Sequence, residues 1–363
     1  MEALPQALSQ VLSRYAGRRV FVTGHTGFKG SWLSLWLTRA GAQVSGYALA
    51  PYGEMNMFTL ADVARELEAH HVADIRDAGR LSDAMLQAAP EVVFHLAAQP
   101  LVRESYRSPA ETWSTNVMGT VNVLDAVRAC PSVRAVVVIT TDKCYENNEW
   151  LWGYRETDAL GGHDPYSASK AGAELVVASY RRSFLAEGGQ YVASARAGNV
   201  IGGGDWSVDR LIPDAARAVA AGQSLRIRNP QATRPWQHVL ESLHGYLLLG
   251  THLCGPDAAR YADAFNFGPA ASDNRPVSDV LSGLRQNWPA LHWELDEAMR
   301  ASAPHEASYL YLDSAKAMRT LAWKPRWTLD RALAETATWY QAVIADPSRA
   351  RAITEAQIDA YMR

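Results

Sequence analysis

Cysteine is scarce in this chain: Cys130, Cys144 and Cys254 are the only three among 363 residues. They are too few and too scattered for a disulfide framework or a zinc site, so no metal is expected. A charge excess is also missing. The formal net charge is −3 and the isoelectric point about 6.4, which leaves no electrostatic footprint for nucleic acid or an anionic membrane. No apolar run approaches the roughly 20 residues of a membrane span. The N-terminus, MEALPQALSQVLSRYAGRR, has no signal-peptide core and reads as a short amphipathic helix. Internal repeats and low-complexity segments are absent. A cytoplasmic globular protein with neither nucleic-acid nor membrane partners is the expectation. Apolar residues make up 48% of the chain, enough for a sizeable core. Tryptophan is abundant, with twelve residues, an excess that suggests apolar grooves or subunit contacts.

Through the first two hundred residues short apolar runs alternate with longer amphipathic stretches. Strands are predicted at 18–24, 43–49, 70–75, 91–98, 134–141 and 190–198, with helices at 28–39, 77–89, 110–129 and 165–186. Repeated strand–helix units with near-continuous apolar strands indicate a doubly wound parallel α/β sheet, a Rossmann fold covered on both faces. Past Gly202 the pattern turns irregular, interrupted by Pro213, Pro230, Pro235 and Pro269. Two regions are expected: a cofactor domain over 15–200, to which part of the later chain returns, and a smaller, irregular substrate lobe over 201–345.

The stretch TGHTGFKG places Gly24, Gly27 and Gly30 directly after the first strand and at the mouth of a helix. Glycines let a backbone approach a pyrophosphate, and a helix N-terminus offers oriented N–H donors, so the turn predicts a dinucleotide. The usual acidic residue for the adenosine ribose is missing, since only Glu54 follows the second strand, displaced well beyond its end. No arginine is placed there to hold a 2′-phosphate, which favours NAD over NADP. Asp74, ending the third strand, suits the adenine amino group or, equally by spacing, plain solvation of a strand end.

Farther along, GGHDPYSASKAGAE carries Tyr166 and Lys170 four residues apart at the start of a helix that Asp164 caps and Pro165 opens. That spacing sets both side chains on one helical face. An ammonium beside a phenol favours the phenolate and would lower the tyrosine pKa toward a usable base.

TGHTGFKG, HLAAQP, TTDKCY, YSASK and NVIGGGDW together resemble the extended short-chain dehydrogenases/reductases, and among them the nucleotide-sugar 4,6-dehydratases. GHTGFKGSWL, TDKCYEN, NVIGGGDW and RPWQHVLE resemble the branch acting on CDP-glucose. The resemblance covers about 15 to 345. It implies NAD held by Gly24, Thr26, Gly27, Phe28, Lys29, Gly30, Asp74, Ile75, Leu96, Ala97, Ala98, Gln99, Asn116, Tyr166 and Lys170. It implies CDP-glucose held by Gln99, Asn199, Arg210, Arg228 and Arg234, with His305 and Glu306 covering the nucleotide and His238 structural. A homodimer built on the helices after Asn116 and Tyr166 is implied as well.

The implied reaction is an internal redox cycle. Tyr166, helped by Lys170 and Thr141, takes the C4 hydroxyl proton as hydride leaves C4 for NAD+. The new ketone acidifies C5, a base removes that proton, an acid protonates the C6 hydroxyl and water departs. Hydride then returns from the transient NADH to C6, giving a 4-keto-6-deoxy sugar with no net redox. Asp142 falls at the position of the acid and Lys143 at that of the base, where dTDP-glucose relatives carry a glutamate. A lysine base must be neutral and an aspartate acid protonated; a simple ion pair between them would leave neither ready, and the sequence leaves both possibilities open. A 4-epimerase, or a dehydratase of dTDP, GDP or UDP sugars, needs the same tyrosine, lysine and cofactor. The TTDK stretch favours a dehydratase over an epimerase, which has no water to lose. A non-catalytic NAD-binding protein would have no use for Tyr166, Lys170 and Asp142 together.

Overall fold

Seven short strands carry the molecule: β1 (Arg19–Thr23), β2 (Gln43–Ala48), β3 (Ala69–Val72), β4 (Val92–His95), β5 (Ala135–Ile139), β6 (Tyr191–Arg196) and β7 (Ala264–Asn266). The computed structural model describes residues 8–298 and 309–363. All seven strands are parallel, in the order β7-β6-β5-β4-β1-β2-β3. Their near-continuous apolar character has a direct cause. Val20, Val22, Val137 and Ile139 point into one core, while Phe21, Val136, Val138 and Val192 point into another on the opposite face. A strand buried on both sides loses the alternation of a half-exposed strand. Among the described residues no helix is long and apolar enough to cross a membrane.

The predicted helix at 28–39 is found as Phe28–Arg39, and nearly all of it is buried, Gly30 through Leu37. It lies beneath the C-terminal helix Ala350–Met362, with Trp36 edge-on to Tyr361 at 5.7 Å between ring centres. The predicted helix at 110–129 is broken. Short helices at Val102–Arg107 and Pro109–Trp113 lead into a wide π-type turn, Ser114–Met118, before Gly119–Ala129. That turn aims Asn116 at the loop after β4 and at Ser169. The strand expected at 70–75 is confined to Ala69–Val72.

The C-terminal half is less irregular than its prolines suggest. It holds the helices Val239–Leu253, Val277–Asn287, Leu329–Ala345 and Ala350–Met362, with three two-stranded pairs between elements. Helix Val239–Leu253 is buried almost all round, so its sequence lacks the one-sided stripe that marks a surface helix. Tryptophan is mainly core material here: Trp32, Trp36, Trp236, Trp288, Trp323, Trp327 and Trp339 are buried, and only Trp113 and Trp152 are strongly exposed.

Candidate active site

The glycine turn is shaped by its own packing. Gly24 has φ +76°, and a Cβ there would lie 2.6 Å from the Ala97 nitrogen; one on Gly30 would lie 2.1 Å from the Gly24 carbonyl oxygen. β4 and the helix start therefore close onto the turn too tightly for any side chain. Gly27 is exposed and caps the helix with no side chain, leaving its mouth open to an anion, as a diphosphate requires. Thr26 Oγ1 donates to the Leu49 carbonyl at 2.9 Å, tying the turn to the end of β2. Replacing Gly30 by alanine is expected to destabilise the fold by about 1–3 kcal/mol or more and to abolish cofactor binding. Thermal melting and quenching of tryptophan fluorescence by added NAD would check this.

Three features of the adenosine end lie beyond sequence reasoning. Asp74 already accepts from Arg76, at 2.8 Å from its N–H, 2.9 Å from Nε and 2.6 Å from Nη2. These bonds hold its carboxyl below the ordinary range, so an adenine amino group must share it. His25 is buried inside the turn with Nε2 2.7 Å from Nδ1 of His70. Burial pushes it down to about 3, so it is neutral. Ile75 is buried against Gly119, leaving no room there for a side chain.

After β4, Leu96, Ala97, Ala98 and Gln99 form a half-buried loop. Asn116 holds it: its Oδ1 accepts from the Gln99 N–H at 2.8 Å, and its Nδ2 donates to the Gln99 carbonyl at 3.1 Å and to Ser169 Oγ at 2.8 Å. Asn116 thus bridges the cofactor loop to the helix carrying Tyr166. The Gln99 amide is engaged by Leu101 in its own loop and by Thr112 on the helix Pro109–Trp113.

At the end of β5 the chain turns sharply, and Thr141, Asp142 and Lys143 occupy the turn. Thr141 Oγ1 accepts from the Lys143 N–H at 3.3 Å and donates to Asp142 Oδ1 at 3.0 Å. Asp142 is fully buried, and its Oδ2 has no hydrogen-bond partner among the described residues. A side chain on Gly198 would come within 2.1 Å of that oxygen, so the glycine makes room for the carboxyl. Lys143 Nζ lies 3.7 Å from Asp142 Oδ1, beyond hydrogen-bond reach, and its side chain is 32% exposed. The two form an ion pair that lacks a hydrogen bond, the simple pairing that the sequence left open.

Facing them is helix Pro165–Tyr180, capped by Asp164, whose carboxyl accepts from the Ser167 N–H at 3.0 Å. Tyr166 and Lys170 are buried on its inner face, and Lys170 Nζ donates to the Ile139 carbonyl at 3.2 Å. The expected lowering of the phenol is not what this pocket does. Burial pushes Tyr166 up to about 12, opposed by the Thr141 hydroxyl and by Arg210 rather than by Lys170. Burial also brings Lys170 down to about 8, opposed by Glu174. Desolvation outweighs the cation because the ammonium is drawn to a carbonyl.

Lys29, expected with the cofactor, lies within electrostatic reach of Asp142 and Lys170. Its Nζ donates to Tyr246 Oη at 3.3 Å, and burial pushes it down to about 7, with Arg210 adding to that and Asp142 opposing. Arg210 Nη1 donates to Asp205 Oδ2 at 2.9 Å, and its charge acts on Tyr166. Asn199 follows β6, its carbonyl accepting from the Gln237 N–H at 3.3 Å. Arg234 is buried, with Nη1 on the Thr233 carbonyl at 2.8 Å. Arg228 is half-buried after the strand Leu225–Ile227. His238 is structural: Nδ1 accepts from the Leu240 N–H at 3.3 Å, and its ring packs between Trp32 and Trp327. His305 and Glu306 lie outside the described residues. Among those described, no cluster of three His, Cys, Asp or Glu could hold a metal.

A parallel nucleotide-binding sheet with a tyrosine–lysine pair at its carboxyl rim defines a short-chain dehydrogenase/reductase type of enzyme. Residues 21–258 match the family model described as GDP-mannose 4,6 dehydratase. The chain is 49% identical over 336 residues to the CDP-glucose 4,6-dehydratase of Salmonella typhimurium, covering 91% of this chain and 92% of that one. It is 26% identical over 340 residues to a dTDP-glucose 4,6-dehydratase of Xanthomonas campestris, covering 88% and 92%. Among solved structures it resembles the dTDP-glucose 4,6-dehydratase of Streptomyces venezuelae, crystallised with NAD, at TM-score 0.73 and 27% identity over 89% of this chain and 97% of that one. The chain belongs to the nucleotide-sugar 4,6-dehydratase family, enzymes of the hydro-lyase type.

Proposed function

We propose that this enzyme converts CDP-glucose to CDP-4-keto-6-deoxyglucose and water, using NAD that is regenerated in each cycle. One observation carries this reading: Asp142, buried with one oxygen lacking a hydrogen-bond partner among the described residues, and Lys143, 3.7 Å from its other oxygen, stand at the end of the strand on which Lys170 is anchored. NAD+, when bound, supplies the oxidant that takes hydride from C4 and later returns it to C6. The uncapped helix mouth behind Gly27 would hold its diphosphate. Tyr166 takes the C4 hydroxyl proton, and Thr141 and Arg210 stabilise the phenolate against burial. Lys143, partly solvated, removes the C5 proton. Asp142, buried beside Thr141, gives a proton to the departing C6 hydroxyl. Residues 15–200 serve the cofactor. The later chain, 201–345, seats the nucleotide sugar, with Arg210, Arg228 and Arg234 offering guanidinium forks to the diphosphate and Asn199 beside them.

The substrate's base rests on the likeness to the Salmonella enzyme. The test is turnover of CDP-, dTDP-, UDP- and GDP-linked hexoses without added reductant, read as the alkali-induced absorbance of the 4-keto product. CDP-glucose should react fastest. Equal rates on all four would remove the CDP assignment and leave the reaction type.

A homodimer is part of this proposal. Trp113, Met118, Leu175 and Phe184 are 42%, 52%, 61% and 45% exposed, the first two on the helix and wide turn before Gly119 and the last two on and just past helix Pro165–Tyr180. An apolar face of this kind is unusual on a monomer. Sedimentation should find a dimer, and Leu175→Arg with Met118→Arg should yield monomers.

A further inference from the structure

We propose that Glu174 is a positioning residue that clamps the Thr141–Asp142–Lys143 turn from both sides and holds it in register with Tyr166 and Lys170. The inference rests on the dehydratase reading and deepens it. Lys170 and Glu174 lie one turn apart on the buried face of helix Pro165–Tyr180. They grip consecutive residues of the opposite strand end. Lys170 Nζ donates to the Ile139 carbonyl at 3.2 Å, and Thr140 Oγ1 donates to Glu174 Oε1 at 2.5 Å. The next residue is Thr141.

The other side of the clamp runs through Arg196. Glu174 Oε2 accepts from Ser194 Oγ at 2.7 Å and from Arg196 Nη2 at 2.8 Å, both on β6. Arg196 Nη1 donates to Tyr145 Oη at 2.7 Å, and that hydroxyl donates to Asn266 Oδ1 on β7 at 2.7 Å. Tyr145 stands two residues beyond Lys143. The catalytic turn is therefore held just before its first residue and just after its last by one buried carboxylate. A buried ion pair adds little net stability compared with an apolar replacement. Directional bonds instead fix geometry, and a misplacement of about 1 Å can lower a rate about 10²-fold.

Charge adds a second readout. The Lys170 ammonium is faced by Glu174 from its own helix, by Cys144 from the turn, by Lys29 from helix Phe28–Arg39 and by His95 from β4. Burial keeps the Cys144 thiol and the His95 ring uncharged. Glu174 opposes the loss of the Lys170 proton.

Thr140→Val removes one clamp bond without changing charge. It should lower kcat about 10- to 100-fold with KM for CDP-glucose unchanged, and Thr140→Ser should restore it. Glu174→Gln should lower kcat and also move the alkaline limb of its pH profile to lower pH, which Thr140→Val should not. Hydrogen exchange of residues 140–146 should speed up in Thr140→Val and Glu174→Gln, and this readout holds even on an inactive protein. Should Glu174→Gln fail to fold with Arg196 unpaired, the two Thr140 variants decide. Wild-type kcat in Thr140→Val with unchanged exchange at 140–146 would overturn the clamp. A wild-type enzyme idle on every nucleotide sugar would instead overturn the dehydratase reading, leaving hydrogen exchange to decide the clamp.

Discussion

Tyr166→Phe is expected to lower turnover of CDP-glucose by about 10²- to 10⁴-fold, the range for loss of a general base. The ring is buried on the inner face of its helix, and phenylalanine fills the same space, so packing is retained. What goes is the hydroxyl beside Thr141, the group proposed to take a proton from the C4 oxygen. The melting temperature should barely change, and substrate binding should persist. A loss of less than tenfold, with a normal melting curve, would show that another group takes that proton.

The second large effect separates the two members of the turn. Asp142→Asn and Lys143→Ala should each abolish formation of the 4-keto-6-deoxy product, by at least about 10²-fold. They should differ in deuterated water. With asparagine at 142 the base remains, so the C5 position of recovered sugar should exchange its proton while water loss stalls. With alanine at 143 exchange should stop too. The 3.7 Å ion pair between them carries no hydrogen bond, so each partner can be replaced on its own. Exchange undiminished in Lys143→Ala would move the base elsewhere, and Lys29, pushed down to about 7 by burial, would be the next group to test.

Local chemistry carried far in the sequence. Three glycines between a strand and a helix admit few conformations, and Gly24 and Gly30 meet backbone where any side chain would collide. Tyr166 and Lys170 share a face because four residues make about one helical turn. The break at Ser114–Met118 was hidden, since a wide turn leaves the apolar pattern almost unchanged while rotating Asn116 toward Gln99 and Ser169. Glu174 was hidden differently. An acid four residues past Lys170 reads as a surface charge until β6 brings Ser194 and Arg196 against it. Helix Val239–Leu253 had no one-sided pattern because protein surrounds it.

What the sequence determined by itself is therefore short-range: the glycine turn, the order of strands and helices through the first half, and the helical face shared by Tyr166 and Lys170. Only the tertiary structure decided how acidic those groups are and which of them meet. Burial raises Tyr166 and lowers Lys29 and Lys170 through desolvation, and desolvation depends on everything packed around a group rather than on its neighbours in the chain.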